Sequence, residues 1–190
     1  LEQGRLLFRG ANGSGKSVTM QSFIPLVLDG DKRPERLDSF GSRDRRMEYY
    51  LLGDSETGHM DRTGYLWIEF YHEDKQSYKT IGIALRARRG AAQMVFWGFL
   101  LEDGRRINQD LHLYDYPNWL ETKKKVPLTR KALTEVIGAG GIVVQEQATY
   151  RELVKKHIFG FKDNNDSYKD LLKLLLEIRS PKLSKEFRPS

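Results

Sequence analysis

Gly10-Ala11-Asn12-Gly13-Ser14-Gly15-Lys16-Ser17 is the stretch that decides how this sequence is read. It matches G-x-x-x-x-G-K-[ST] in full. Apolar Leu6-Leu7-Phe8 precede it, and Val18, Met20, Phe23, Ile24, Val27 and Leu28 follow at helical spacing, with Pro25 as a kink. Strand, loop and helix are the context the motif requires. Glycines let successive backbone N–H groups turn inward around phosphate, and the helix that starts there adds its positive dipole end. The pattern predicts an α/β P-loop NTPase fold in which residues 10–17 bind nucleotide. Lys16 would lie on the β and γ phosphates, and the Ser17 hydroxyl would bind Mg²⁺, making ATP and Mg²⁺ the expected cofactors.

The whole chain bounds what can be built around that loop. It has 190 residues, 32 basic and 26 acidic side chains, a formal charge of +6, 39% hydrophobic residues and no cysteine. The apolar and aromatic content supports a packed core and excludes wholesale disorder. Without cysteine, disulfide scaffolds, thiolate metal sites and cysteine nucleophiles are all excluded. No apolar run reaches the roughly 18 residues of a membrane helix, so a cytoplasmic protein without a membrane partner is expected. A start without methionine, directly before a strand pattern, suggests a segment of a longer chain.

Residues 29–62 alternate in charge and contain Pro34 and several glycines, which predicts a loop-rich surface excursion. An antiparallel meander is expected over about residues 64–113. Its legs are Tyr65 to Tyr71, Thr80 to Leu85, Met94 to Leu101 and Arg106 to Leu113, the last two joined by a turn at Asp103-Gly104. A helical part follows over about 129–180. Thr129 caps a first helix that stops at Gly138, Ile142-Val143-Val144 forms a short strand, and Tyr150 to Phe159 is amphipathic. A last apolar helix carries Leu171, Leu172, Leu174, Leu175 and Ile178 and closes at Pro181.

A nucleotide-hydrolysing site also needs a carboxylate on a neighbouring strand to hold Mg²⁺. Three places offer an apolar run ending in an acid. Ile24 to Asp29 belongs to the helix after the loop, Tyr65 to Glu69 lies in the meander, and Ile142 to Glu146 is the best placed although short. None is a convincing partner, so the pocket is expected to be incomplete within these residues.

Asn12 within Asn-Gly-Ser-Gly-Lys-Ser makes the loop similar to that of SMC, RecF and related ABC-type chromosome ATPases. Further strings extend the likeness: Leu28-Asp29-Gly30-Asp31, residues 33–38 (Arg-Pro-Glu-Arg-Leu-Asp), Arg43-Asp44-Arg45, residues 85–90 (Leu-Arg-Ala-Arg-Arg-Gly) and residues 181–185 (Pro-Lys-Leu-Ser-Lys). From about residue 4 onward the chain resembles the amino-terminal head of the SMC-like, MukB-type JetC family of bacterial Wadjet plasmid-defence systems. The resemblance implies the amino-terminal lobe, residues 1–190, of an ABC-type head carrying an antiparallel β subdomain. Its acidic and signature motifs would come from the far end of a long coiled-coil protein. It also implies ATPase activity in the full-length protein only, a homodimer through ATP-engaged heads, and loop extrusion on double-stranded DNA. Kleisin, winged-helix and nuclease subunits would be the partners. Arg45, or its neighbours Arg43 and Arg46 ahead of Met47-Glu48, would reach the nucleotide phosphates, and Gln147 or Gln145 would supply the glutamine beside Mg²⁺.

Arg86, Arg88 and Arg89, then Lys123, Lys124 and Lys125, and a tail with Arg179, Lys182, Lys185 and Arg188, are the basic clusters; the first two sets are the expected DNA contacts. His59, His72, His112 and His157 lack ligand spacing and read as structural or surface residues. Two other classes fit a lone phosphate loop. One is a self-contained small-molecule or nucleoside kinase, and the other is a noncatalytic domain that only binds nucleotide.

Overall fold

A computed structural model describes residues 4–10, 27–28, 30, 51–53, 56, 58–72 and 75–159, the first stretch by its backbone. Residues 11–17, the arginines at 43, 45 and 46, the last apolar helix and the basic tail lie outside the described residues.

Five strands form one sheet in sequence order: β1 (Gly4–Gly10), β2 (Asp61–His72), β3 (Ser77–Arg88), β4 (Val95–Leu101) and β5 (Gly141–Val144). Every neighbouring pair is antiparallel. Among the described residues three short helices with both ends described accompany it: α1 (Tyr116–Thr122), α2 (Arg130–Ile137) and α3 (Gln147–Val154), the last running on into a wider π turn at Lys155–Phe159. The described part is therefore a mixed α/β structure on an antiparallel sheet.

β2 and β3 carry apolar residues at both parities, which means neither face of the sheet is left to water. On one face Ile68, Ile81, Ile83, Leu85 and Leu100 pack with Val27, Leu28, Leu51, Leu52, Tyr150 and Val154. On the other, Tyr65, Trp67, Ala84, Trp97, Phe99 and Leu101 pack with Ile107, Leu111, Leu113, Leu133 and Ile137. Two glycines let aromatic rings lie directly on the backbone. A Cβ at Gly82 would collide with the Phe99 ring, and one at Gly98 with the Tyr150 ring. Such close approach requires glycine.

The sequence places α2 and its signals well: the Thr129 hydroxyl accepts from Ala132 N at 3.2 Å, and Gly138 ends the helix at φ 55°. Residues 106–113 differ from the expected fourth leg. The N–H groups of Asp110 and Leu111 both turn back to the Arg106 carbonyl, and Asn108 sits at φ 68°, so the segment is a compact turn joined by a single Ile107–Leu111 bridge. Its apolar residues Ile107, Leu111 and Leu113 plug the second sheet face instead of pairing with β4. The strand beside β4 is β5, whose four residues pair Gly98–Leu101 with Gly141–Val144. The excursion before β2 also differs from a pure surface loop, because Leu51 and Leu52 are helical and buried in the first core.

Candidate nucleotide site and basic surfaces

β1 ends at Gly10, the first residue of the phosphate-loop sequence, and Gly10 pairs with Leu66 of β2. Among the described residues β2 is the one strand beside β1, so β1 is an edge of the described sheet. Following the register across the sheet gives one transverse row: Gly10, Leu66, Ile83, Gly98, Val144. β1 and β5 thus point the same way and reach the same end of the sheet, but four inter-strand spacings separate them, roughly 19 Å at about 4.8 Å each. Glu146, just beyond β5, lies at the far side of this row from Gly10.

Glu69 is on the adjacent strand but faces another task. Its register partner on β1 is Leu7, three residues short of Gly10 and about 10 Å down the strand. Its side chain is 0% exposed, and Oε2 accepts from Arg106 Nη2 at 3.0 Å. The Arg106 guanidinium also lies over the Tyr78 ring at 4.1 Å. The carboxylate, through its hydrogen bond, holds the Arg106 pKa above its ordinary value. This pair ties the 106–113 turn to the sheet. It is not complete: Glu69 Oε1, Arg106 Nε and the Thr80 hydroxyl, opposite Glu69 on β3, are buried without hydrogen-bond partners.

Gln147 opens α3, with Gln145 just before it. Gln147 packs at Gly30, where its Cγ, Phe96 and Tyr150 surround the backbone at φ +70°. The Tyr150 hydroxyl donates to the Val27 carbonyl. α3 therefore braces the far end of the segment that follows the phosphate loop. This places both glutamines on the β4–β5 side of the sheet.

The two described basic clusters differ in how their charges are used. Arg86 makes a bidentate pair with Asp61, at 3.0 and 2.7 Å, and Arg88 approaches the same carboxylate at 3.6 Å. The Arg86 hydrogen bond, more than the nearby positive charges, holds the Asp61 pKa below its usual value. Arg89 donates to the carbonyls of Leu52 and His59. Lys123, Lys124 and Lys125 are exposed and pair with no carboxylate among the described residues. Two of them rest on aromatic rings instead, Lys123 over Trp119 at 4.5 Å and Lys125 over Tyr114 at 5.0 Å. The sequence singles out these lysines by their charge; the aromatic support from Tyr114 and Trp119 is what the charges alone do not reveal.

His157 Nδ1 lies 2.8 Å from Glu102 Oε1, and His112 packs edge-on to Tyr116 at 4.0 Å between ring centroids. A cavity of about 420 Å³ lined by Glu102, Asp103, Gly140, Gly141 and Ile142 opens at the start of β5, at the opposite edge of the sheet from β1. Among the described residues no helix is long and apolar enough to cross a membrane.

The described residues define a mixed α/β structure with an antiparallel sheet, and the sequence G-x-x-x-x-G-K-S begins at the last residue of its strand β1. No protein-family model, no curated protein and no solved structure matches the chain.

Proposed function

We propose that this chain is the ATP-binding amino-terminal lobe of an SMC-like, ABC-type ATPase head. The observation that carries the reading is the position of β1: it runs into the phosphate-loop sequence and, among the described residues, has β2 alone beside it. A carboxylate supplied from a carboxy-terminal lobe would complete the magnesium site in this reading; it is supported by Glu69 being already bound to Arg106 and by Glu146 following the strand at the other edge of the described sheet. In this reading residues 10–17 cradle ATP, with Lys16 on the phosphates and Ser17 on Mg²⁺. Arg45 adds a planar, permanently charged fork toward the phosphates. Gln147 or Gln145 would reach Mg²⁺ only if the ATP-engaged head brings α3 across the sheet.

Two such heads would close on ATP and part after hydrolysis. The cycle would act on double-stranded DNA with kleisin, winged-helix and nuclease partners, as in plasmid-defence complexes. The test is ATPase activity of this chain alone, of a carboxy-terminal lobe alone, and of the two combined. Turnover only in the combination supports the reading, with Arg45→Ala lowering it while ATP binding persists. Full turnover by this chain alone would favour a self-contained kinase-type site.

A further inference from the structure

The segment between Leu113 and Leu128 projects from the second sheet face as an ordered ribbon. Asp115 N donates to the Val126 carbonyl at 2.8 Å, and Leu128 N to the Leu113 carbonyl at 2.9 Å. Its root is fixed by Tyr65, whose hydroxyl donates to the Leu128 carbonyl at 2.7 Å while accepting from Trp97 Nε1 at 3.2 Å. Burial keeps that hydroxyl protonated far above the ordinary phenol range. At its tip, α1 is closed at both ends by its own residues. The Asp115 carboxylate accepts from Asn118 N, and Lys123 takes the left-handed C-cap conformation at φ 57°.

Having spent this much local structure on α1, the chain buries none of its side chains. Tyr116 is 40% exposed and Leu120 51% exposed. Tyr116 stacks on Trp119 with 19° between the ring planes, Tyr114 meets Trp119 edge-on, and Lys123 and Lys125 cover ring faces of Trp119 and Tyr114. His112 borders the set, and burial, then the charge of Lys125, hold its pKa below the usual value, so it stays a neutral ring at pH 7.

We infer that this ribbon is a contact for single-stranded nucleic acid, in which Trp119, Tyr114 and Tyr116 stack on unpaired bases while Lys123, Lys124 and Lys125 take the phosphates. Charge complementarity favours a polyanion, because among the described residues the three lysines have no carboxylate partner. The rings narrow the choice. Duplex DNA hides its base faces, whereas an open strand offers both phosphates and π faces, and stacking contributes about 1–3 kcal/mol per base. The lysines that cover the rings in the free protein would exchange ring for phosphate as bases take their place. This contact uses none of residues 10–17, and its binding is expected without ATP.

The test measures anisotropy of a labelled oligothymidylate of about 20 nucleotides and of a duplex of equal length binding to the full chain. The expected result is at least about tenfold tighter binding of the single strand, and about tenfold loss with Trp119→Ala. Trp119→Phe, which keeps a stacking ring, should retain most of the affinity, so a general folding defect is distinguishable. Lys123→Gln with Lys125→Gln should weaken binding and flatten its salt dependence. Equal affinity for duplex and single strand, unchanged by Trp119→Ala, would overturn the proposal. So would displacement by polyglutamate as effective as by unlabelled oligothymidylate, since that would mark a surface for an acidic protein.

Discussion

Val144 at the end of β5 and Gly10 at the end of β1 occupy the same transverse row of the sheet, with Leu66, Ile83 and Gly98 between them. The two residues sit on like-directed strands yet about 19 Å apart along the sheet. Glu146 lies just beyond β5, at the far side of that row from Gly10. With the magnesium carboxylate supplied by another lobe, as proposed, Glu146→Gln should leave nucleotide affinity unchanged, and a tenfold loss of MgATP affinity in calorimetry would contradict that proposal.

Glu69 is predicted to matter for stability and not for nucleotide. Arg106→Ala strands a buried carboxylate and should cost roughly 3 kcal/mol in urea unfolding, at the low end of the usual range because Arg106 keeps some solvent contact. Replacing both partners, Glu69→Leu with Arg106→Met, should recover most of that loss. A double variant as unstable as Arg106→Ala would show that the pair does something beyond mutual compensation.

Tyr150 carries two predictions of different kind. Tyr150→Phe leaves the Val27 carbonyl without its side-chain donor and should destabilise by about 1–2 kcal/mol. Gly98→Ala pushes a methyl into the same ring and should cost about 1–3 kcal/mol. Thermal denaturation of both variants checks them, and a neutral Gly98→Ala would mean the ring can shift.

His112 gives the ribbon an acid-sensitive element. Its pKa in the folded protein is lowered, first by burial and then by Lys125, from an ordinary value of 6.5. The unfolded chain therefore takes up the proton first. The stability linked to this group is full above about pH 6.5 and is lost as pH falls through the lower folded value. Unfolding midpoints of His112→Gln should vary less than those of the natural sequence over that interval. An unchanged pH profile would sink the assignment.

Much of the sheet could be read from the residues, and the reasons for the exceptions are physical. β1 announces itself by the apolar run Leu6-Leu7-Phe8 and β2 to β4 by β-branched and aromatic runs, and apolar residues at both parities of β2 and β3 already imply that both faces are covered. Residues 106–113 misled because Ile107, Leu111 and Leu113 alternate enough to resemble a return strand. What sets their path is a turn held by the Arg106 carbonyl and an ion pair to Glu69. The partner that β4 takes instead lies some forty residues later at Ile142 to Val144, a non-local pairing that no local pattern encodes. The phosphate-loop expectation rests on the spacing of residues 10–17 alone, and residues 11–17 lie outside the described residues. The aromatic support beneath Lys123 and Lys125 was not legible, since cation–π contacts depend on how the ribbon closes.

The most direct test of the central claim is equilibrium binding of MgATP to this chain and to its Lys16→Ala variant. The account predicts weak but measurable binding that the substitution reduces by at least about tenfold, as expected for removal of a lysine that acts on the β and γ phosphates. Equal binding by the two proteins would contradict a phosphate loop at residues 10–17, and with it the assignment of this chain as the ATP-binding lobe of a larger head.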